Sequence, residues 1–146
     1  MQPLENFLLE KNYSKIKLHL TKTNHFEIKA RINGRSGLFI LDTGASSSCL
    51  GFEAIETFKL NVAESDVLAA GAGSTNMKTK ISLKNKIKIG KWYNNKVTLI
   101  LFDLSHVNTA LANHKSKPVD GIIGADILKQ GKAVIDYGKK YLYLKL

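Results

Sequence analysis

Apolar and polar residues alternate along much of the chain, and the alternation predicts strands. In "SKIKLHLT" (14–21), Ile16, Leu18 and Leu20 fall on one parity against lysines and His19. "HFEIKARING" (25–34) repeats the pattern with Phe26, Ile28, Ala30 and Ile32, and Asn33-Gly34 then marks a tight turn. "GLFILD" (37–42) and "KVTLILFDL" (96–104) are apolar on both parities, which predicts strands buried on both faces. In "KTKISLKNKIKIGKW" (78–92), Lys80, Lys84, Lys86 and Lys88 share one parity and Ile81, Leu83, Ile87 and Ile89 the other, as in a half-buried strand with a solvated lysine face. "AVIDYGKKYLYLKL" (133–146) predicts a hairpin turning at Gly138, Lys139 and Lys140.

Helical spacing is rarer. "FEAIETFKL" (52–60) puts Phe52, Ile55 and Phe58 on one helical face. Ser105 is placed to cap a short helix through "HVNTALAN" (106–113), with Val107, Ala110 and Leu111 facing inward. "GADILKQG" (124–131) is a third candidate, bounded by Gly124 and Gly131. "AAGAGSTN" (69–76) is too rich in Gly and Ala for a packed strand, and "NHKSKP" (113–118) reads as a polar loop. The expectation is one all-β domain over residues 14–146 with two or three short helices, preceded by an N-terminal arm of residues 1–13.

Composition narrows the function classes. A chain of 146 residues is long enough to bury one real core. No apolar run approaches membrane-spanning length, and "MQPLENFLLEKNY" lacks the basic start and long apolar region of a secretory signal. Cys49 is the one cysteine, so no intrachain disulfide forms, and a reducing, cytoplasmic location is expected. The net charge of +10 raises nucleic acid as a partner, but only Arg31 and Arg35 among the 22 basic residues supply a planar fork. The lysines follow a strand period, so the charge reads as a solvated face and no nucleic-acid partner is expected; acidic peptides remain plausible beneficiaries.

The candidate chemistry lies at "LFILDTGASS" (38–47), where a buried strand runs straight into Asp42. Asp-Thr-Gly is a short motif with many chance occurrences. Here the strand fixes the carboxylate, Gly44 permits close backbone approach, and Thr43 and Ser46 offer short hydroxyls to hold oxygens in place. A carboxylate acting as a general base needs such orientation. About 80 residues downstream, "VDGIIGADIL" (119–128) sets Ile122 and Ile123 between glycines, as a buried strand leading into a helix start.

Together "FILDTGAS", "AAGAGS", "VDGIIGADIL" and the closing hairpin, in that order and spacing, resemble the retropepsin-like aspartic proteases, the single-domain type shared by retroviral proteases. The resemblance implies a closed-barrel acid-protease fold and makes Asp42 the catalytic carboxylate. Thr43 would join a hydrogen-bonded grip between subunits, the Gly44 amide would support the carboxylates, and Ala45 and Ser46 would complete the active-site loop. Ala70, Gly71, Ala72 and Gly73 would form a flap over substrate, and Ile122, Ile123 and Gly124 would pass behind the loop. The flap lacks an aromatic residue, and the helical stretch at 105–113 is an insertion relative to compact retroviral proteases; the loop near 104–118 would contribute pocket walls.

Peptide hydrolysis in that family takes two aspartates, and this chain has one Asp-Thr-Gly. Neither Asp120 nor Asp126 sits in such a motif, so the resemblance implies a homodimer acting on a peptide or protein substrate, with no cofactor. A catalytically weak module that binds peptides or mediates assembly is the alternative. His19, His25, His106 and His114 show no metal-ligand spacing, and Cys49 has no flanking base, so neither zinc nor a thiol nucleophile is expected.

Overall fold

The computed structural model describes residues 2–71 and 74–146, with side chains described outside 66–77. Helix α1 (Leu4–Glu10) leads into strands β1 (Tyr13–Lys17), β2 (His19–Leu20), β3 (Phe26–Ile32), β4 (Arg35–Leu41) and β5 (Cys49–Leu50). Helix α2 (Ala54–Thr57) precedes β6 (Ala63–Gly71), β7 (Ser74–Ile89) and β8 (Trp92–Leu101). Helix α3 (Ser105–Asn113), β9 (Gly121–Ile123), α4 (Ala125–Gln130), β10 (Val134–Asp136) and β11 (Tyr141–Lys145) complete the chain.

The larger sheet runs β2-β3-β4-β9-β5-β8-β7-β6, and β3 also pairs with β7 through Arg31↔Lys88 and Ile32↔Ile87. That extra pairing closes β3, β4, β9, β5, β8 and β7 into a six-stranded barrel, the closed barrel that the sequence resemblance implies. A separate sheet, β1-β11-β10, joins the two ends of the chain. The alternating residues of β3 (Phe26, Ile28, Ala30, Ile32) fill the barrel with Phe39, Phe58, Ile87, Leu99 and Leu101. Outside the barrel, α3 lays Leu111 over Ile40 and Val119, so β4 is covered on both faces as its double-parity apolar run requires.

Several elements differ from expectation, each for a physical reason. Four helices are present among the described residues, because Leu4–Glu10 is helical; Leu4, Phe7 and Leu8 have helical spacing, but the run is only two turns long and only Leu8 is buried. Helix α3 is not capped by Ser105. Its N-cap is Leu104, and the Asp103 carboxylate accepts the Ser105 N–H at 2.8 Å. Ala110, expected inward, is exposed. The lysine parity of β7 breaks at an irregularity between Ser82 and Asn85, where Lys84 takes φ 57°. This leaves Leu83 exposed and buries Asn85, whose amide donates to the Ser82 and Val97 carbonyls. The Gly/Ala stretch does pair, Ala69 with Met77 and Gly71 with Ser74, since a backbone ladder needs no side chains. At Asn33-Gly34 both residues have positive φ (53° and 85°), as a tight hairpin requires. Among the described residues no helix is long and apolar enough to cross a membrane.

Candidate active site

Strand β4 ends at Leu41, and Asp42 continues its ladder by one bond: the Asp42 N–H donates to the Ile123 carbonyl at 3.0 Å. The chain then turns. The Gly44 N–H donates to Asp42 Oδ1 at 2.8 Å and the Ala45 N–H to the Asp42 carbonyl at 3.2 Å, a local turn built around the aspartate's own carboxylate. A Cβ at Gly44 would stand 3.2 Å from that Oδ1, so a side chain there crowds the carboxylate. Asp42, Thr43, Gly44 and Ser46 are exposed, and Ala45 is half-buried.

The turn is fastened from below by β9 and α4. Ala45 presents its carbonyl to the Ala125 N–H at 2.7 Å, and a Cβ on Gly124 would fall 2.5 Å from that same oxygen. Ser48 is buried, and its Oγ donates to Asp126 Oδ1 at 2.7 Å while accepting the Gly124 N–H at 2.9 Å. The Ser48 N–H is shared between both Asp126 oxygens at 3.0 Å each. Loop 42–48 is therefore held at Asp42, Ala45 and Ser48 by residues roughly 80 positions away. Gly121 supports the same arrangement, since a Cβ there would lie 2.2 Å from the Cys49 carbonyl.

The other aspartates in this region are already committed. Asp120 Oδ2 accepts the Leu38 N–H at 2.9 Å, and Asp126 holds Ser48 with both oxygens. Cys49 is buried behind the loop, and burial, reinforced by the charges of Asp126 and Asp42, pushes its thiol up to about 12. It is an inert small core residue.

Beside Asp42 opens a cleft of about 370 Å³. Ile40 and Ile122 form its floor, Val107, Ala110 and Leu111 of α3 one wall, and Thr23, His25 and His106 its polar edge. The His25 ring lies 2.8 Å from Thr23 Oγ1. The exposure of Ala110 is thus exposure to this cleft. Ile122, Ile123 and Gly124 pass behind the loop in β9 and at the start of α4. Ala70 and Gly71 close β6, whereas Ala72 and Gly73 lie outside the described residues. The sequence marks Asp126 only as a candidate second member of an aspartate pair, and His25 and His106 only as candidate metal ligands. Ser48 at 78 positions from Asp126 carries no local signal of its partner.

Comparison with known proteins accords with this architecture. Residues 28–127 match the family model described as aspartyl protease. Among solved structures, a retropepsin-like aspartic protease from Rickettsia conorii superposes with TM-score 0.56 at 20% identity, covering 90% of this chain and 91% of that one. The EIAV protease complexed with the inhibitor HBY-793 gives 0.55 at 23% identity, over 75% and 90% of the two chains. The retroviral protease-like domain of Ddi1 from Leishmania major gives 0.54 at 17% identity, over 81% and 86%. No curated protein sequence matches the chain.

Proposed function

The chain belongs to the aspartyl protease family, and on that premise we propose that it is a homodimeric endopeptidase in which Asp42 meets Asp42 of a partner subunit across a two-fold axis. The observation that carries this reading is one exposed carboxylate at the end of a buried strand. Gly44 holds one of its oxygens, and an apolar cleft lies beside it. Asp120 and Asp126 are tied to backbone donors and so are poor second members of a dyad.

Two carboxylates a few ångströms apart share one proton, because like charges that close do not both ionise. The ionised member takes a proton from a water as its oxygen attacks the peptide carbonyl carbon. The protonated member gives its proton to the carbonyl oxygen, forming a gem-diol. Collapse of the diol breaks the C–N bond, moves a proton to the leaving nitrogen and returns the pair to its singly protonated state. In this reading Thr43 grips the partner subunit, the Gly44 amide fixes the carboxylate, and Ala45 and Ser46 complete the loop. Residues 70–73 close over the substrate, and Ile122, Ile123 and Gly124 brace the site. Substrate binds as an extended strand with one apolar side chain in the cleft. The single buried Cys49 suits a reducing, cytoplasmic setting.

Cleavage of a diverse peptide library by wild type and Asp42→Asn across pH, with sedimentation alongside, tests the proposal. The expected result is dimer in both and cleavage in wild type only. A folded wild-type dimer that cuts nothing at any pH would replace this reading with that of a peptide-binding or assembly module.

A further inference from the structure

A groove runs along the outer face of β3 and β4, away from the barrel core. Strand alternation turns Glu27, Lys29 and Arg31 to this side while Phe26, Ile28 and Ala30 face inward. The floor is apolar, formed by Leu20 and Leu38 over the buried Ile16 and Leu18. The rim carries Lys17, Lys22, Lys29, Lys115 and Lys117 around a volume of about 770 Å³. Through Lys29, Leu38 and Lys117 the groove continues into a second concavity of about 840 Å³, which adds Arg31 and Lys88. At its other end Thr21 and Lys22 lead along the chain into Thr23 and His25, which edge the cleft beside Asp42.

All of these cations are exposed, and among the described residues none has an acidic partner. Among the described residues the one carboxylate lining the strip is Glu27, whose side chain is 9% exposed and whose Oε1 lies 4.0 Å from His19 Nε2. Among the described residues its buried Oε2 has no hydrogen-bond partner. Like charges gathered on one strip of a chain already at +10 repel one another, and a polyanion laid along the strip relieves that repulsion.

We propose that this strip is an exosite that docks an extended acidic segment of a protein substrate outside the residues flanking the scissile bond. The inference rests on the endopeptidase reading and names a substrate class for it. An acidic peptide fits better than a nucleic acid. Among the described residues no Phe, Tyr or Trp lines either concavity to stack on a base, and all but one of the cations are lysines rather than arginines. The apolar floor between charged rims suits a chain that alternates apolar and acidic side chains. Alongside β3 the strip is on the order of 20 Å long, room for about six extended residues. Docking there raises the encounter rate and lowers KM while leaving the bond-breaking step untouched.

The test is fluorescence anisotropy of a labelled ten-residue peptide alternating Glu with Leu, titrated with the full chain. Wild type is compared with the double variant Lys29→Glu/Lys88→Glu and with Lys96→Glu, an exposed lysine off the strip. The double variant should bind about tenfold or more weakly and Lys96→Glu as wild type, with binding falling as salt rises. A substrate bearing the same tract should show a raised KM and unchanged kcat in the double variant, and a short substrate without the tract no change. Equal binding by wild type and double variant overturns the exosite, as does tighter binding of a single-stranded oligonucleotide of equal charge. Peptide binding by the strip without cleavage of any substrate sustains the docking surface and overturns the endopeptidase reading instead.

Discussion

Two segments meet at the candidate site, each carrying an aspartate, and they use it oppositely. In loop 42–48, Asp42 is exposed and one oxygen accepts the Gly44 N–H; among the described residues, no donor reaches the other. In segment 121–126, Asp126 spends both oxygens on Ser48. A carboxylate saturated by fixed donors is a structural clamp, while one that is oriented but unsaturated has an oxygen left for a water or a proton. The difference arises from position: Asp42 follows the last residue of a strand, and Asp126 lies in the first turn of α4, aimed back at the loop it holds.

The largest expected separation between the two comes from removing charge at each. Asp42→Asn should lower cleavage by about 10²–10⁴-fold or more while leaving the melting temperature near wild type, since the amide oxygen can still accept the Gly44 N–H. Asp126→Ala should do the reverse. It strands the buried Ser48 N–H and hydroxyl, costs about 1–3 kcal/mol and lowers Tm by roughly 3–10 °C, read by thermal denaturation. Should Asp42→Asn destabilise as much as Asp126→Ala, the division between presented and clamping carboxylate fails.

A smaller effect sharpens the picture behind the loop. With its thiol pushed from 9.0 to about 12, Cys49 stays protonated and buried, and alkylation by iodoacetamide at pH 8 should proceed only through unfolding. The sign follows from linkage. The folded value lies above the unfolded one, so this contribution to stability is complete below pH 9 and is lost as pH rises toward 12. Cys49→Ala should flatten the decline in stability across that window.

The smallest effect lies in the wall of the cleft. The Ser105 N–H and hydroxyl hold the exposed Asp103 carboxyl below its ordinary 3.8. Its folded value is depressed, so its support for α3 is present above pH 4 and fades as pH falls through the lowered value. Asp103→Asn should leave global stability almost unchanged and increase amide exchange in the first turn of α3, which hydrogen exchange measures.

What was legible in the sequence was local. Strand β3 and its Asn33-Gly34 turn, the double-sided burial of β4, and the strand-then-helix reading of "GIIGADIL" all follow from side chains repeating every two residues and from backbone angles few residues accept. Helix α1 was not legible because its helically spaced Leu4, Phe7 and Leu8 span only two turns, too short a run to separate from an arm. The β7 irregularity escaped because Asn85 is held across the sheet, at Asn33 and Val97, as well as by Ser82 of its own strand, and the pairings to Asn33 and Val97 leave no mark in the local pattern. The sequence by itself determined where Asp42 stands: four apolar residues bury β4, and Gly44 lets the turn fold back on the carboxylate. Only the tertiary structure decided which aspartate stays available. Asp120 and Asp126 are occupied by donors 78–82 positions away, and such pairings are set by barrel closure and the β4–β9 ladder, to which no local pattern of residues refers.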